Sequence, residues 1–247
     1  MWRRVVGDFT SRTLTYADDK LAAISGLATA LTQTDPERFP PSSYVFGLWR
    51  DDLVLHLLWF AVEPAESRNA LDSAPAWSWA SLHSGRILNQ IDERYQSLSF
   101  GDSMDFHADA QIVDIKTNFS LLNTFGQGTG RITIKGILVS SLWHPNININ
   151  SDVSLTVGNT IMDIHLDVKG EVIPFPECYI FIIGNVTTYR EDSIDGSGIT
   201  YQNRVGLLLV KSKDIGAFSR VGYASEREYP VDSPISLNGE LCCIDLI

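Results

Sequence analysis

The sequence predicts an α+β chain in which a mainly helical N-terminal part packs on an antiparallel β-sandwich or barrel-like C-terminal part. Three observations predict it. Leu21, Ile24, Leu27, Ala28 and Leu31 repeat with the i, i+3, i+4, i+7 spacing of an amphipathic helix. Beyond about Phe100 the period falls to two, in segments rich in Ile, Val, Thr and Tyr that Gly, Asn, Asp and Ser separate. No long linker parts the two textures, so residues 1–247 read as a single domain with a helical subregion, 1–100, and a β-rich subregion, 101–247.

In chain order, the first helix is expected from Asp18 to about Thr32, with Thr15 and Asp18 as a start signal. Asp35-Pro36 and Pro40-Pro41 then interrupt helical structure between Gln33 and Ser43. A second helical run is expected from Tyr44 through Trp49, Leu53, Leu57 and Leu58 to Phe60, closed by Glu63-Pro64 and a polar stretch to Ser73. Eight strands follow from the alternation: 110–118, 131–140, 153–157, 161–168, 178–188, 204–211, 218–224 and 241–247. Gly126 to Gly130 and Asp195 to Gly198 read as connections. So many short strands without intervening helices point to a sandwich or barrel, not a parallel α/β sheet.

Composition narrows the partners. Lys and Arg total 19 against 30 Asp and Glu, a formal charge of −11, and this balance argues against a nucleic-acid backbone or an anionic membrane surface. A hydrophobic fraction of 44% with only 20% charged residues implies a large apolar interior. The start, Met1-Trp2-Arg3-Arg4-Val5-Val6-Gly7-Asp8, has no apolar leader segment after its basic residues, and a cytoplasmic protein is expected. Cys178, Cys242 and Cys243 lack the paired spacings of zinc or redox sites and are expected to be reduced thiols. Without a leader, the glycosylation triplets at Asn118 and Asn185 carry little weight.

Four blocks carry a resemblance. They are Trp2…Val6…Ser11-Arg12-Thr13-Leu14-Thr15 continuing to Gly26-Leu27-Ala28; Tyr44…Gly47-Leu48-Trp49…Leu57-Leu58-Trp59; Ala74-Pro75-Ala76-Trp77-Ser78-Trp79-Ala80-Ser81; and Gly206-Leu207-Leu208-Leu209 with Gly216-Ala217-Phe218-Ser219-Arg220-Val221-Gly222. In this order they resemble the region that follows the effector domain in fungal heterokaryon-incompatibility (HET) proteins, and the WSWAS block is the most specific of them. The resemblance covers most of the chain. It implies shared ancestry and fold with that region, and an expected absence of the TIR-like effector part that executes cell death.

Candidate residues follow. Trp77 and Trp79, two apart, face the same side if the segment is extended, and with Trp49 they are candidate walls of an apolar ligand pocket. The alternative for these indoles, and for Trp59 and Trp143, is packing between the helical part and the sheet. Arg12 and His83 are the candidate donors to a substrate carbonyl, and Arg220 is a candidate anion or carbonyl clamp whose alternative is a structural ion pair. Asp105-Phe106-His107-Ala108-Asp109 and Asp163-Ile164-His165-Leu166-Asp167 share an Asp-x-His-x-Asp pattern. In a strand the pattern sets its polar residues on one face, which is a solvated face or, for Asp163, His165 and Asp167, a set of metal ligands. Cys242 and Cys243 are expected to alternate in and out of a final strand.

No GxSxG elbow, P-loop, strand-borne GxGxxG or HExxH helix occurs, and no cofactor is expected. Two functions stay open. One is a cofactor-independent cyclase, isomerase or pericyclase of fungal specialised metabolism, acting on an apolar small molecule by orientation and electrostatics. The other is a non-catalytic recognition or regulatory module related to heterokaryon incompatibility, with a protein partner.

Overall fold

The computed structural model describes residues 1–12, 19–69, 73–99, 102–119, 127–140, 144–147, 153–157, 160–170, 178–191, 198–214, 216–227, 229–230 and 239–247. Trp143, the start signal Thr15 to Asp18, and residues 126 and 195–197 of the two expected connections lie outside the described residues.

Among the described residues the N-terminal part holds four α-helices: α1 (Trp2–Thr10), α2 (Lys20–Thr34), α3 (Leu53–His56) and α4 (Gln90–Gln96). Trp2, Val6 and Thr10, each four apart, give α1 one buried face. The Thr10 hydroxyl donates to the Val6 carbonyl at 2.8 Å and accepts from the Ile87 amide at 2.9 Å, which ties the helix to the strand beneath. Helix α2 buries Leu21, Ile24 and Ala28, as its spacing predicts, and leaves Leu27 exposed. The Asn89 side chain caps α4 by accepting from the Ile91 amide.

The run from Tyr44 to Phe60 is not one helix. Strands β1 (Tyr44–Val45) and β2 (Leu48–Trp49) form a hairpin whose two turn residues, Phe46 and Gly47, both have positive φ. A short 3-10 turn (Arg50–Asp52) leads into α3, and the chain is extended again at β3 (Trp59–Ala61), paired with β4 (Ile87–Asn89). Every residue from Ser43 to Trp49 is buried, so the apolar run carries no period that favours a helix over a buried hairpin.

The remaining strands are β5 (Ser103–Ala108), β6 (Gln111–Phe119), β7 (Gly128–Ser140), β8 (His144–Ile147), β9 (Val153–Val157), β10 (Thr160–Leu166), β11 (Cys178–Glu191), β12 (Gly198–Lys211), β13 (Ala217–Glu226), β14 (Tyr229–Pro230) and β15 (Glu240–Leu246). They form a large mixed sheet in which β13 and β15 are the parallel pair. The eight strands expected from alternation are present, and β5, β8 and β14 are additional. The chain is thus α+β and mostly sheet. Pairings run from β7 to β11, β12, β13 and β15 and return to β7, closing a ring. At the irregularity between Ile182 and Gly184, β11 leaves β7 and takes β5 as its neighbour, while β6 pairs with the other end of β7.

Around β11, β12 and β13 both faces of the sheet are buried. On one, Phe181, Ile183, Val205, Leu207 and Tyr223 join the N-terminal residues in one core. On the other, Ile180, Ile182, Leu208, Met162 and Ile164 form a smaller cluster. Two-sided burial explains the nearly continuous apolar run of β11.

Candidate functional site

Trp77 and Trp79 are fully buried, but their segment is not extended. The Ser78 amide donates to the Pro75 carbonyl, and the Ser78 side chain caps a 3-10 turn (Trp79–Ser81) by accepting from the Ala80 amide. The two indoles therefore diverge. The Trp77 N–H donates to the Gly130 carbonyl at 3.2 Å with its ring edge-on to Phe46, whereas the Trp79 N–H donates to the Gly47 carbonyl at 3.2 Å. Trp49 packs among Trp2, Phe39 and Tyr44, its ring centroid 5.0 to 5.8 Å from theirs. These indoles fill the core instead of walling a common pocket. The gap beside Trp2, Trp59 and Trp79 holds only about 20 Å³, room for a single water. Arg12 and His83 are exposed, and neither lines that gap.

The metal reading of Asp163, His165 and Asp167 does not hold, because each side chain goes to a different partner. Asp163 pairs with Arg227 at 3.1 Å; His165 stacks at 5.1 Å on Phe60; Asp167, buried just past the end of β10, receives Arg220 at 3.1 Å. Among the described residues no group of three or more His, Cys, Asp or Glu is placed to hold a metal. In the other copy His107 is largely exposed at a solvated strand end.

Arg220 combines both roles weighed for it. Fully buried, it pairs with Asp167 and also donates to the carbonyls of Leu57 at 2.7 Å and Trp59 at 2.5 Å. Its nitrogens are taken up by these buried partners, so it acts as a structural clamp. Burial pushes the Cys178 thiol up to about 12, which makes it inert as a nucleophile. The Lys20 ammonium, buried with its head on the Leu82 carbonyl at 2.6 Å, is lowered to about 8 by the same desolvation.

A cleft of about 570 Å³, large enough for a ligand, lies between residues 68–69, 74–76 and 81 and the ends of β6, β7 and β13. Its β6–β7 wall is set by register: Lys116 lies directly opposite Arg131, and Asn118 opposite Thr129. The facing wall is small and apolar at Ala74, Pro75 and Ala76, and Asp214 and Ser219 stand near the far end. The side chains at the floor are tied down. Arg68 donates to Ser81, Asp167 and the Arg220 carbonyl, and the Asn69 amide nitrogen donates to the Ala80 carbonyl at 2.9 Å. Since that carbonyl only accepts, the Asn69 Oδ1 must face away from it, and this oxygen is buried with no partner among the described residues.

Charge in the cleft is arranged by rows. Behind the cations, Asp245 accepts from Arg131 at 3.0 Å and from Thr133 at 2.7 Å. Asp214 lies 3.9 Å from the second Arg131 nitrogen, beyond hydrogen-bond reach, and Lys116 sits 3.6 Å from the exposed Asp114. Sequence reading missed these residues because the signal is a cross-strand register, which alternation alone does not supply. None of the described lining residues is aromatic, and none is a His, Cys, Glu or Tyr. Among the described residues no helix is long and apolar enough to cross a membrane. Compared with known proteins, the chain matches no family model, no curated protein and no solved structure.

Proposed function

We propose that the chain is a non-catalytic recognition module that binds a small polar ligand in the cleft between residues 68–69, 74–76 and 81 and the sheet. The observation that carries this reading is the lining. The cleft has the volume of a small-molecule site, yet its walls are amide, hydroxyl, cation and small apolar groups. General acid–base or nucleophilic chemistry calls for a group such as His, Cys, Glu or an activated Ser at the ligand, and Asp214 is the one carboxylate in the described lining. A cyclase of apolar substrates would instead need an enclosed aromatic cavity, and the indoles expected to build it are taken up by core packing.

The resemblance to the region that follows the effector in HET proteins supports the same choice, since a recognition role fits a segment adjoining an effector. In this reading the closed ring of pairings is a barrel-like frame that fixes the β6–β7 wall, and the setting is the cytoplasm, where reduced thiols such as those of Cys178, Cys242 and Cys243 persist.

Amide chemical-shift mapping of the full chain tests it. The probes are sugar phosphates, carboxylates, amino acids, neutral sugars and apolar terpenoid-like compounds. Shifts confined to residues 74, 76, 116–118 and 129–131 with polar compounds are expected. Shifts of the Trp49, Trp77 and Trp79 indoles with the apolar compounds would contradict the reading and return the pocket hypothesis.

A further inference from the structure

Two polar groups on the floor of the cleft lack the partners their chemistry calls for. Residues 67–69 and 81–83 run antiparallel: Arg68 bridges Leu82, the Asn69 amide donates to the Ser81 carbonyl at 2.7 Å, and the His83 amide donates to the Ser67 carbonyl at 2.9 Å. Asn69 therefore stands opposite Ser81, with Cα atoms about 5.5 Å apart in such a ladder and side chains on one face. Both residues line the cleft. The Asn69 side chain is fixed by its donation to the Ala80 carbonyl, which leaves its Oδ1 screened from water and without a donor. The Ser81 hydroxyl, in a residue only 4% exposed, accepts from Arg68 at 3.2 Å, and its own hydrogen finds no acceptor among the described residues. A buried polar group without a partner carries its full desolvation cost, so an unmatched acceptor beside an unmatched donor points to a ligand that supplies both partners.

We infer that Asn69 and Ser81 bind a carboxamide or lactam group of the ligand, the Asn69 Oδ1 accepting from its N–H and the Ser81 hydroxyl donating to its C=O. The inference rests on the reading of the cleft as a ligand site. Complementarity favours an amide over other polar groups. It holds a donor and an acceptor on neighbouring atoms of one plane, as the pair requires. A carboxylate offers acceptors alone and would set an oxygen against the Asn69 Oδ1, whereas an ammonium offers donors alone and would leave the Ser81 hydroxyl unmatched. Nor does the floor call for a charge, because Arg68 beside Ser81 already meets the buried Asp167 at 3.3 Å. The body of the ligand lies against Ala74, Pro75 and Ala76, the small apolar part of the lining.

The test uses the full chain with propionamide and pyrrolidone as probes, against propionate and propanol. The side-chain amide resonances of Asn69 report on the site without any substitution. Both amide probes are expected to shift them saturably, and to bind about ten-fold more tightly than propionate or propanol. Ser81→Ala removes the donor and is expected to weaken the amide probes about ten-fold, with the unfolding transition showing that the variant is folded. Should it not fold, Ser81→Cys, which keeps the shape with a weaker donor, is expected to change binding in the same direction. Amide probes that leave the Asn69 side chain unmoved, or that bind no better than propionate or propanol, overturn the inference. Undiminished binding to a folded Ser81 variant overturns it as well. If carboxylates or neutral sugars shift the backbone amides of 74, 76 and 129–131 and the amide probes do not, the amide assignment falls while the cleft reading stands. If no compound moves them, both fall.

Discussion

The guanidinium of Arg220 lies 3.4 Å from the centre of the Trp59 ring while both of its sides are bonded to Asp167 and to the carbonyls of Leu57 and Trp59. One side chain from β13 thereby fastens the turn between α3 and β3 onto the sheet. The cation, its counter-ion and the aromatic face are all removed from water, where such contacts are strongest and where losing one partner is most costly. Arg68 reaches the same carboxylate at 3.3 Å from the floor of the cleft, so the clamp also holds the cleft's inner wall.

Arg220→Met should leave Asp167 buried and short of its main partner, and should cost about 3–5 kcal/mol of stability in urea unfolding. Adding Asp167→Asn removes the stranded charge and should recover part of the loss. Equal stability of the single and double variants would contradict this account of the seam.

Gly47 answers two demands at once. Its φ is +82°, and a Cβ there would come within 2.8 Å of the Trp79 indole nitrogen. Its carbonyl accepts from two indoles, Trp2 at 2.8 Å and Trp79 at 3.2 Å. Gly47→Ala is expected to lose roughly 2–4 kcal/mol, backbone strain plus overpacking. Gly216→Ala, at a φ of +79° with open space around it, isolates the strain and should lose only about 1 kcal/mol. Equal losses at the two positions would remove the clash from the explanation.

The stability of the helical part should depend on pH through His56. Its Nδ1 accepts from the Trp49 amide at 3.1 Å, and burial, then the nearby Arg3 and the N-terminal ammonium, lower its pKa from the usual 6.5 to about 3. Between those values the unfolded chain holds a proton that the folded chain excludes. The stability is therefore complete above pH ~6.5 and is lost as the pH falls toward 3, by on the order of 4 kcal/mol. His56→Gln, whose oxygen can still accept from Trp49, should flatten the urea midpoint between pH ~7 and ~4. An unchanged slope would acquit His56.

How far the sequence reaches depends on what each signal needs. β9 and β15 lie within one residue of their expected limits because strict alternation at a sheet face is local information. β5 was not among the expected strands although Met104, Phe106 and Ala108 alternate with Ser103, Asp105 and His107, because the segment is short and has none of the β-branched residues that mark the others. The Phe46-Gly47 turn hides for a different reason: its first residue is a bulky one at positive φ, where Asn or Asp would have marked a hairpin. Helix α1 is masked by Arg3, Arg4 and Asp8 between its buried positions. At the sites, Asp167 is turned from solvent by an arginine 53 residues away, and Lys116 meets Arg131 only through pairing. Such partners are tertiary facts, whereas the burial of Trp77 and Trp79 was within reach of composition and pattern.

The most direct test of the central claim fills the cleft. Ala76 is half-buried in its apolar wall, and a larger side chain there projects into open volume instead of packed core. Binding of the polar compounds that shift the 129–131 amides should be measured by calorimetry on the parent and on Ala76→Trp. The account expects affinity to fall at least about ten-fold with the unfolding temperature unchanged. Undiminished binding to a folded Ala76→Trp variant would contradict it.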